Sequence, residues 1–513
     1  MCGILFTNFK NLDQRSFKKS LKLIRHRGPD SSKFIRINGN YLGFNRLSII
    51  DLTKNADQPK LSSNEKYIII YNGEIYNFYE LKNKYSIDTK KNSDTEVLLE
   101  LFSKYKTKIL NELNGMFSFI IYDIHNNNYF IVRDRLGIKP LYYYESGDKF
   151  IYSSELSPIL NILEINNKKI TYDKIAIRQI KQFRNYFDDR TIYEQIKTFP
   201  PGSFLFKKKI YKYWDLTPKN NKFDFEEFSD LLRSSIKLRT IADVKVGSFL
   251  SGGIDSTIIT KLAKPSNSWS IGLKNFNEFD YVKKVNKSIL KDTYIYYYDQ
   301  KNFNNDLKKI LEVKKEPVLI PNEILLSALT SKIKVKNKVV LSGEGSDELF
   351  YGYDRIFRWA VKSSWNKRDF VSLYCYGDGK DNEVINDVIK NHIFKFKSNE
   401  LNISYFFQIH HLRGLLNRLD FSTMLHSVEA RSPFLDFRLI EYLFGINKKY
   451  KISKNDSKII LKKFCQRKIP ASIVNRKKVG FPVKLDNMNF LESEKRNTFM
   501  SWIDYNLDLL IKN

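Results

Sequence analysis

Residues 248–256 read Ser-Phe-Leu-Ser-Gly-Gly-Ile-Asp-Ser, between an apolar run at 244–250 and apolar residues at helical spacing over 256–262. This pattern predicts a strand, a glycine-rich turn and a helix. The two glycines allow the backbone to curl, so that its N–H groups and the helix N-terminus can hold a phosphate. Ser251 and Ser256 add hydroxyl donors. Because no lysine follows the glycines, the loop differs from the G-x-x-x-x-G-K-[ST] phosphate loop.

The chain beyond this loop continues to alternate between strand and helix patterns. Further apolar strands are predicted at residues 269–273, 293–298 and 339–341. Such alternation predicts a parallel sheet with crossover helices, and ligands bind these sheets at the carboxyl ends of the strands. One such end carries residues 341–350, LSGEGSDELF. Asp255 and Asp347 therefore stand on strand-to-helix loops, where their oxygens suit Mg²⁺ bound to phosphates. The C-terminal third is predicted to be mostly helical.

The N-terminal part has a different pattern. Short strands rich in β-branched and aromatic residues are predicted at 67–71, 117–122 and 129–132, with amphipathic helices at 17–24 and 97–102. This indicates stacked sheets flanked by helices. Polar and turn residues then accumulate before the alternating region begins. The predicted division is a first domain at 1–205, a linker at 206–222 and a second domain at 223–513.

Composition places the 513-residue chain among globular multidomain proteins, since 42% of its residues are hydrophobic and 14% are aromatic. We predict no transmembrane helix and no signal peptide. Cys2, Cys375 and Cys465 are too few and too scattered for a disulfide framework or a zinc site, which favours a reducing cytoplasm.

The net charge of +30 is the strongest compositional signal. Taken alone it indicates binding to nucleic acid or another anionic surface. However, the lysines are dispersed in short groups such as 207–209 and 477–478, and they form no basic run or tail. This dispersal favours compositional drift over a nucleic-acid role. Steering of anionic substrates such as ATP remains a further use of the charge.

Cys2 follows the initiator Met1 and precedes the small Gly3. If Met1 is removed, as we expect, Cys2 carries both a thiol and a free α-amine. An α-amine has a pKa of about 8, so it can act as a base toward the neighbouring thiol. Cys2 alone is weak evidence, because a buried cysteine near a terminus is commonly structural. Its sequence neighbours strengthen the functional interpretation.

Those neighbours are ordered motifs along the first domain. They are RHRGPD at 25–30, NRLSIID at 45–51, YNGEIYN at 71–77, SDTE at 93–96, RDRLGIKPLY at 133–142 and YSSEL at 152–156. Together they closely resemble the glutaminase domain shared by asparagine synthetase, glucosamine-phosphate synthase and the purine amidotransferase. The resemblance implies an α+β N-terminal-nucleophile hydrolase fold, which is a four-layer αββα sandwich.

The resemblance also implies roles for individual residues of the first domain. Cys2 would attack the glutamine side-chain amide to form a thioester. Asn72 and the N–H of Gly73 would form the oxyanion hole. Glutamine itself would be held by Arg46, Leu47, Ile49, Asn72, Gly73, Glu74 and Asp94, with Arg46 on its α-carboxylate and Asp94, aided by Glu74, on its α-ammonium. Taken one at a time, these residues also fit purely structural roles. Asn72-Gly73 would form a hairpin turn, Asp94 would cap a helix and Arg46 would form a surface ion pair.

The second domain resembles the α/β pyrophosphate-loop synthetase domain of the asparagine synthetase family, with its helical C-terminal part. The match extends to VEARSPFLD at 428–436 and to RKKVGFP at 476–482. It implies that Glu344 supports formation of an acyl-adenylate and that Lys458 steadies charge on the departing pyrophosphate. ATP or pyrophosphate contacts are implied for Leu250, Ser251, Gly252, Gly253, Asp255, Ser256, Ile271, Ser342 and Gly343, and Mg²⁺ contacts for Asp255 and Asp347.

Both halves together resemble asparagine synthetase. The resemblance implies that the substrates are glutamine, ATP and aspartate, and it leaves open whether the protein forms a homodimer. Within residues 276–322 the chain departs from the family pattern: Tyr281 follows Asp280, tyrosines stand at 296–297, and the segment 316–322 lacks an expected acidic residue. This departure leaves open another acceptor carboxylate, such as a uronic acid of a surface polysaccharide. A nucleic-acid-binding protein on an inactive synthetase scaffold is the alternative from another class, supported only by the charge.

Overall fold

The computed structural model of the protein describes residues 2–89, 93–219, 221–289, 292–377, 379–476 and 499–511. The strands of its N-terminal part are β1 (Cys2–Thr7), β2 (Ser31–Ile37), β3 (Asn40–Arg46), β4 (Lys60–Leu61), β5 (Tyr67–Ile75), β6 (Gly115–Asp123), β7 (Asn128–Arg133), β8 (Tyr142–Ser146), β9 (Lys149–Ser153), β10 (Lys197–Thr198), β11 (Ser203–Phe206) and β12 (Lys209–Lys212). Its helices are α1 (Gln14–Lys22), α2 (Phe78–Lys84), α3 (Asp94–Tyr105), α4 (Leu156–Ile165) and α5 (Lys174–Phe183).

These strands form two antiparallel sheets, in the orders β10-β8-β9-β1-β3-β2 and β12-β11-β7-β6-β5-β4. Successive side chains along a strand point to opposite faces of its sheet, so neighbouring residues show which layer packs on each face. Ile4 and Ile70 pack between the two sheets. Leu5 faces the other way, toward the layer of α1 and α4, and Ile69 faces α3. The predicted αββα sandwich is therefore confirmed.

The second domain is a parallel sheet surrounded by helices. Its strands are β13 (Val246–Phe249), β14 (Asn267–Leu273), β15 (Thr293–Tyr298), β16 (Val339–Leu341) and β17 (Glu429–Arg431). Its helices are α6 (Phe225–Leu238), α7 (Ile254–Ala263), α8 (Phe279–Ile289), α9 (Phe303–Lys314), α10 (Asn322–Ile333), α11 (Ser346–Leu349), α12 (Asp354–Lys362), α13 (Lys367–Tyr374), α14 (Asn382–His392), α15 (Asn399–Tyr405), α16 (Leu412–Met424), α17 (Phe437–Gly445), α18 (Ile459–Cys465), α19 (Ala471–Val474) and α20 (Phe499–Ile511).

The strand order β15-β14-β13-β16-β17 places the first strand of this domain at the centre of the sheet. All of these neighbours pair in parallel. The connections therefore run outward in both directions from β13 and β16, and a crevice opens where the direction changes. The loops after β13 and β16 are those at residues 250–253 and 342–345. The sheet thus brings the two glycine-containing motifs together, as the sequence predicted.

The stretch predicted as the linker, 206–222, is partly structured. Lys207 and Lys208 adopt positive φ values of 49° and 60° and close a hairpin, so that β12 pairs with β11 at the edge of a first-domain sheet. Every side chain of β12 is exposed, so the strand lacks the apolar alternation from which a strand is predicted. The domain boundaries themselves stay a prediction.

The two domains share a buried boundary. Leu136 of the first domain packs into the core formed by α6, α7 and α17 of the second. Within the residues that the structure describes, no helix has the length and apolar character needed to cross a membrane.

Candidate active sites in the two domains

Cys2 begins β1 and lies at the junction of the two sheets of the first domain. It pairs with Arg46 across β1 and β3, and its backbone N–H donates to Oδ1 of Asn72 on β5 at 3.1 Å. The Leu47 N–H points at the Cys2 thiol. Burial raises the pKa of the Cys2 thiol above its ordinary value, and the Leu47 N–H and the Arg46 charge act in the opposite direction. The thiol therefore needs a base to react near neutral pH.

Asn72 and Gly73 fit the requirements of an oxyanion hole. The Asn72 Nδ2 is buried and has no hydrogen-bond partner among the described residues, which leaves a donor beside Cys2. Buried donors without a partner are uncommon in folded proteins, and this one is available to an acceptor on a ligand. At Gly73 φ is 155°, and a Cβ would come within 2.2 Å of the Met116 carbonyl oxygen. Only glycine fits there.

Buried carboxylates collect on one side of this site. Asp94 accepts from the Tyr71 hydroxyl at 2.9 Å and from the backbone of Ile75 and Thr95. The Glu74 carboxylate lies 3.5 Å from Arg431, and its second oxygen has no hydrogen-bond partner in the described part of the chain. Burial, aided for Glu74 by Glu429 and Asp94, raises the pKa of both Glu74 and Asp94. A ligand ammonium would offset this concentration of negative charge.

Arg46 has a tightly packed setting. It is 5% exposed, and its guanidinium contacts Asp57 at 3.0 Å and donates to the carbonyl oxygens of Thr53 and Asp51. Leu47 and Ile49 are also buried, in a small apolar cluster with Val339 of the second domain. The predicted residues of the glutaminase site thus lie together around Cys2, and their roles stay predictions.

The second site is a cavity of about 1100 Å³ at the crevice of the parallel sheet. It is lined by the predicted residues Leu250, Ser251, Gly253, Asp255, Ser256, Ile271, Ser342, Gly343, Glu344, Asp347 and Lys458. Gly252 is at the turn beside it, with φ of 73°, and a Cβ there would come 2.7 Å from Tyr281. The Ser256 hydroxyl accepts from the Ser251 N–H at 3.2 Å and so holds the loop curled.

Lys458 links the two motif loops. Its Nζ lies 2.6 Å from an oxygen of Asp255 and 2.8 Å from an oxygen of Asp347. Burial alone would lower the pKa of Lys458, but the two carboxylates more than offset this, and the pKa is raised. Two carboxylates therefore converge on one small volume at the switch point of the sheet. In a chain so rich in lysine, this geometry distinguishes Lys458 from a solvated helix charge.

The same carboxylates suit a divalent cation. Carboxylate oxygens are ligands that Mg²⁺ prefers, and Mg²⁺ commonly takes one or two of them together with substrate phosphates. Among the described residues, no group of three or more His, Cys, Asp or Glu side chains could hold a metal. Asp255 and Asp347 supply two carboxylates beside the phosphate loop.

Several cavity residues had no individual role predicted from the sequence. Arg418 on α16 contacts Glu344 at 2.5 Å and donates to Asn322 at 3.1 Å. Arg476 donates to the Gly252 carbonyl oxygen and stacks on Tyr281, 3.8 Å from its ring centre. Other charged or phenolic groups that line the cavity are Glu278, Tyr353, Asp354, Arg355, Arg358, Asp456 and Lys462. An arginine inside an amphipathic helix resembles any surface charge in sequence, so only the fold identifies it.

One of the matched motifs lies away from the cavity. The segment 428–436 runs along the domain boundary, where Arg431 approaches Glu74 and Asp436 accepts from Asn114 at 2.9 Å. Its contacts are structural and join the domains. Of the motif at 476–482, only Arg476 falls within the described residues.

The fold and the two sites define a class of protein: an N-terminal-nucleophile glutamine amidotransferase domain joined to a nucleotide-binding synthetase domain. Comparison with known families agrees. A family model described as a glutamine amidotransferase domain matches residues 1–214, and one described as asparagine synthase matches residues 227–504. The chain belongs to the asparagine synthase family.

Individual relatives match most of the chain. Asparagine synthetase [glutamine-hydrolyzing] 1 of Bacillus subtilis is 31% identical, over 94% of this chain and 87% of the relative. Putative asparagine synthetase [glutamine-hydrolyzing] 2 of Methanocaldococcus jannaschii is 35% identical, over 69% of this chain and 76% of the relative. Asparagine synthetase B of Escherichia coli is 27% identical, over 94% of this chain and 82% of the relative. These relatives favour neither a uronic acid as acceptor nor a nucleic-acid-binding scaffold.

Proposed function

We propose that this protein is a glutamine-dependent asparagine synthetase, which converts ATP, L-aspartate, L-glutamine and water into L-asparagine, L-glutamate, AMP and pyrophosphate. One observation carries the proposal: a single chain holds a cysteine beside an orphan amide donor and, in its second domain, a phosphate loop facing paired carboxylates. The first arrangement suits amide hydrolysis, and the second suits adenylation.

In the first domain, the Cys2 sulfur attacks the glutamine amide carbon. Asn72 Oδ1 orients the Cys2 nitrogen, which becomes the α-amine base once Met1 is removed. The Asn72 Nδ2 and the Gly73 N–H stabilise the oxyanion. Ammonia leaves, and water hydrolyses the thioester to glutamate. Arg46, Leu47 and Ile49 form the wall of the glutamine site, while Glu74 and Asp94 accept from the α-ammonium.

In the second domain, the loop from Ser251 to Ser256 holds the phosphates of ATP, and Lys458 neutralises the charge that develops on pyrophosphate. Leu250, Ile271, Ser342 and Gly343 contact the nucleoside part. Mg²⁺, held by Asp255 and Asp347 with phosphate oxygens, would supply charge neutralisation when bound. Glu344, oriented by Arg418, supports formation of the aspartyl adenylate. Ammonia then attacks the adenylate carbonyl carbon and AMP departs.

Ammonia passes between the sites inside the protein. The two domains meet at buried polar contacts, among them Lys139 Nζ and Asp420 Oδ1 at 3.2 Å. Asp420 lies on α16, the helix that also carries Arg418. An internal route protects the released nitrogen from dilution into bulk water.

The acceptor is tested with the Cys2→Ala protein, ATP, Mg²⁺ and ammonium chloride, by measuring pyrophosphate release with each acid at equal concentration. Aspartate should exceed glutamate and a uronic acid by at least about tenfold, a difference of about 1.4 kcal/mol. A buried carboxylate that loses its ammonium partner costs roughly 1–3 kcal/mol, so one pocket discriminates strongly between these acids. An inert aspartate beside an active alternative acid would overturn the choice of acceptor.

Three finer assignments stay predictions. Activity should require Mg²⁺ and be lost with a chelator. Sedimentation measures whether the protein is a homodimer, and cell fractionation tests the expected cytoplasmic location.

A further inference from the structure

A small chamber of about 70 Å³ lies between the two domains, apart from the large cavity. Since one water needs a cavity of roughly 10–15 Å³, the chamber has room for several waters or a small ion. The first domain contributes Pro140 and Tyr142 to its wall, and the second contributes Glu316 and Asn417. Arg418 lines both this chamber and the large cavity, so the two spaces adjoin at the side chain that contacts Glu344.

Glu316 is a buried carboxylate whose nearest cation is already committed. Its side chain accepts from the Tyr142 hydroxyl at 3.4 Å, and the described residues place no Lys, Arg or His nitrogen within 4 Å of it. The neighbouring Lys314 instead contacts both oxygens of Glu323, at 2.8 and 2.9 Å. Burial raises the pKa of Glu316 to about 7, although Lys314 and Asn417 lower it in part. A carboxylate in this state binds a cation or a proton.

The other charged groups around the chamber also have partners. On the first-domain side, Arg190 contacts Asp173 at 2.6 Å and Arg133 donates to backbone carbonyls. On the second-domain side, Arg413 contacts Asp189 at 3.0 Å. Tyr186, which also lines the chamber, is a neutral phenol. Burial is the main cause that raises the pKa of Tyr186, and the nearby charge of Glu316 raises it further. Because these groups are engaged elsewhere, the Glu316 carboxylate is placed to bind a cationic ligand in the chamber.

The segment that carries Glu316 is held in place from the C-terminal helix. The Trp502 indole donates to the Val318 carbonyl oxygen at 2.7 Å, and the Val318 N–H donates to Asn506 Oδ1 at 3.0 Å. Trp502 and Asn506 are fully buried. Both backbone groups of a residue two positions from Glu316 are therefore fixed, which gives the carboxylate a defined position.

We propose that Glu316 binds ammonium in this chamber and accepts a proton from it, so that ammonia enters the synthetase cavity beside Arg418 and Glu344. The inference rests on the proposed function. The transfer is balanced: ammonium and the carboxylate give ammonia and the carboxylic acid. The ammonia lone pair then forms the C–N bond as the bond between the carbonyl carbon and the AMP phosphate oxygen breaks, and the departing phosphate takes the excess proton from the nitrogen. The proton on Glu316 passes to water at the partly exposed rim near Asp189.

The test compares Glu316→Gln with Glu312→Gln, a matched change at an exposed glutamate of α9. Glutamate and asparagine are measured together, because their ratio reports how much released nitrogen is transferred. Glu316→Gln should lower the asparagine formed per glutamate, and raise the KM for ammonium, by roughly tenfold or more. Glutamine hydrolysis and ATP–pyrophosphate exchange with aspartate should persist, since they occur at other sites. Glu312→Gln should match the wild type in every measurement.

The pH profile separates this role from a structural one. In the wild type, asparagine formed per glutamate should rise as pH increases through about 7, because the carboxylate is the form that accepts the proton. Tyr142→Phe removes a donor to the carboxylate, so the pKa of Glu316 and the midpoint of the profile should move upward. This second variant also decides the question if Glu316→Gln does not fold.

Two results would overturn the inference while leaving the proposed function intact. One is a folded Glu316→Gln protein that transfers nitrogen as the wild type does. The other is a Tyr142→Phe profile with an unchanged midpoint. If the wild type forms no asparagine from either glutamine or ammonium, the proposed function itself fails, and the inference fails with it.

Discussion

Arg27 of the first domain donates to Asp420 of the second across the domain boundary, with 2.9 Å between Nη2 and Oδ2. Both side chains are buried. The Arg27 Nε also donates to the Cys2 carbonyl oxygen at 3.2 Å, so a single guanidinium connects the residue predicted as nucleophile to α16. Lys139 contacts the other Asp420 oxygen at 3.2 Å. The position of Cys2 therefore depends on correct docking of the second domain.

Asp420→Ala should strongly destabilise the docked state. The change leaves Arg27 and Lys139 buried without one of their carboxylate partners, which costs about 3–5 kcal/mol. Thermal unfolding should show a lower midpoint. Asp148→Ala is the matched control, since it removes an exposed partner of Lys208 and should leave the midpoint unchanged. Equal midpoints for the two variants would show that the buried contacts contribute little.

Cys2→Ala should abolish glutamine hydrolysis while ammonium-dependent asparagine synthesis continues, because the second site needs only ammonia. Intact-protein mass spectrometry of the wild type should show that Met1 is absent. Cys375→Ala serves as the control and should hydrolyse glutamine normally, since Cys375 is far from Cys2 in sequence and belongs to another core cluster. Hydrolysis by Cys2→Ala at the wild-type rate would exclude Cys2 as the nucleophile.

Asp347→Asn should remove adenylation and spare glutamine hydrolysis. The amide weakens the charged contact with Lys458 at 2.8 Å and supplies a poorer Mg²⁺ ligand. ATP–pyrophosphate exchange should fall by roughly 100-fold or more, the scale of losing one stabilising group in a dry site. Asp280→Asn, at an exposed residue of α8, should retain exchange. Formation of ADP and phosphate by the wild type would instead indicate an acyl-phosphate mechanism.

The net charge of +30 predicts only unspecific binding to DNA or RNA. The affinity should be weak, indifferent to nucleotide sequence and steeply reduced by salt, because the release of counterions supplies the binding free energy. Fluorescence anisotropy with several oligonucleotides across a salt series measures this. Tight binding at physiological salt that discriminates between sequences would contradict the account of dispersed lysines.

Much of the architecture could be predicted from local patterns. The glycine-rich loop at 248–256 was bounded by a strand and a helix, and parallel pairing then brought it beside the loop after β16. Such arguments succeed where hydrophobic period and turn chemistry agree. They fail for β12, whose exposed lysines form a strand only because β11 lies beside it.

Long-range polar contacts could not be predicted. Arg27 and Asp420 are 393 positions apart, and Arg418 reaches Glu344 across 74. Asp420 and Arg418 look like ordinary surface charges in sequence, and both pairings depend on how α16 packs. Glu316 shows the same limit, because its significance comes from a chamber built by both domains.

Transfer of labelled nitrogen tests the central claim most directly. The wild-type protein is given ATP, Mg²⁺, aspartate and glutamine carrying ¹⁵N in its side-chain amide, and products are resolved by mass spectrometry and NMR. The account predicts asparagine labelled in its side-chain amide. AMP and pyrophosphate should each form in the same molar amount as the asparagine. Labelled ammonium without labelled asparagine, while aspartate stays unchanged, would contradict it.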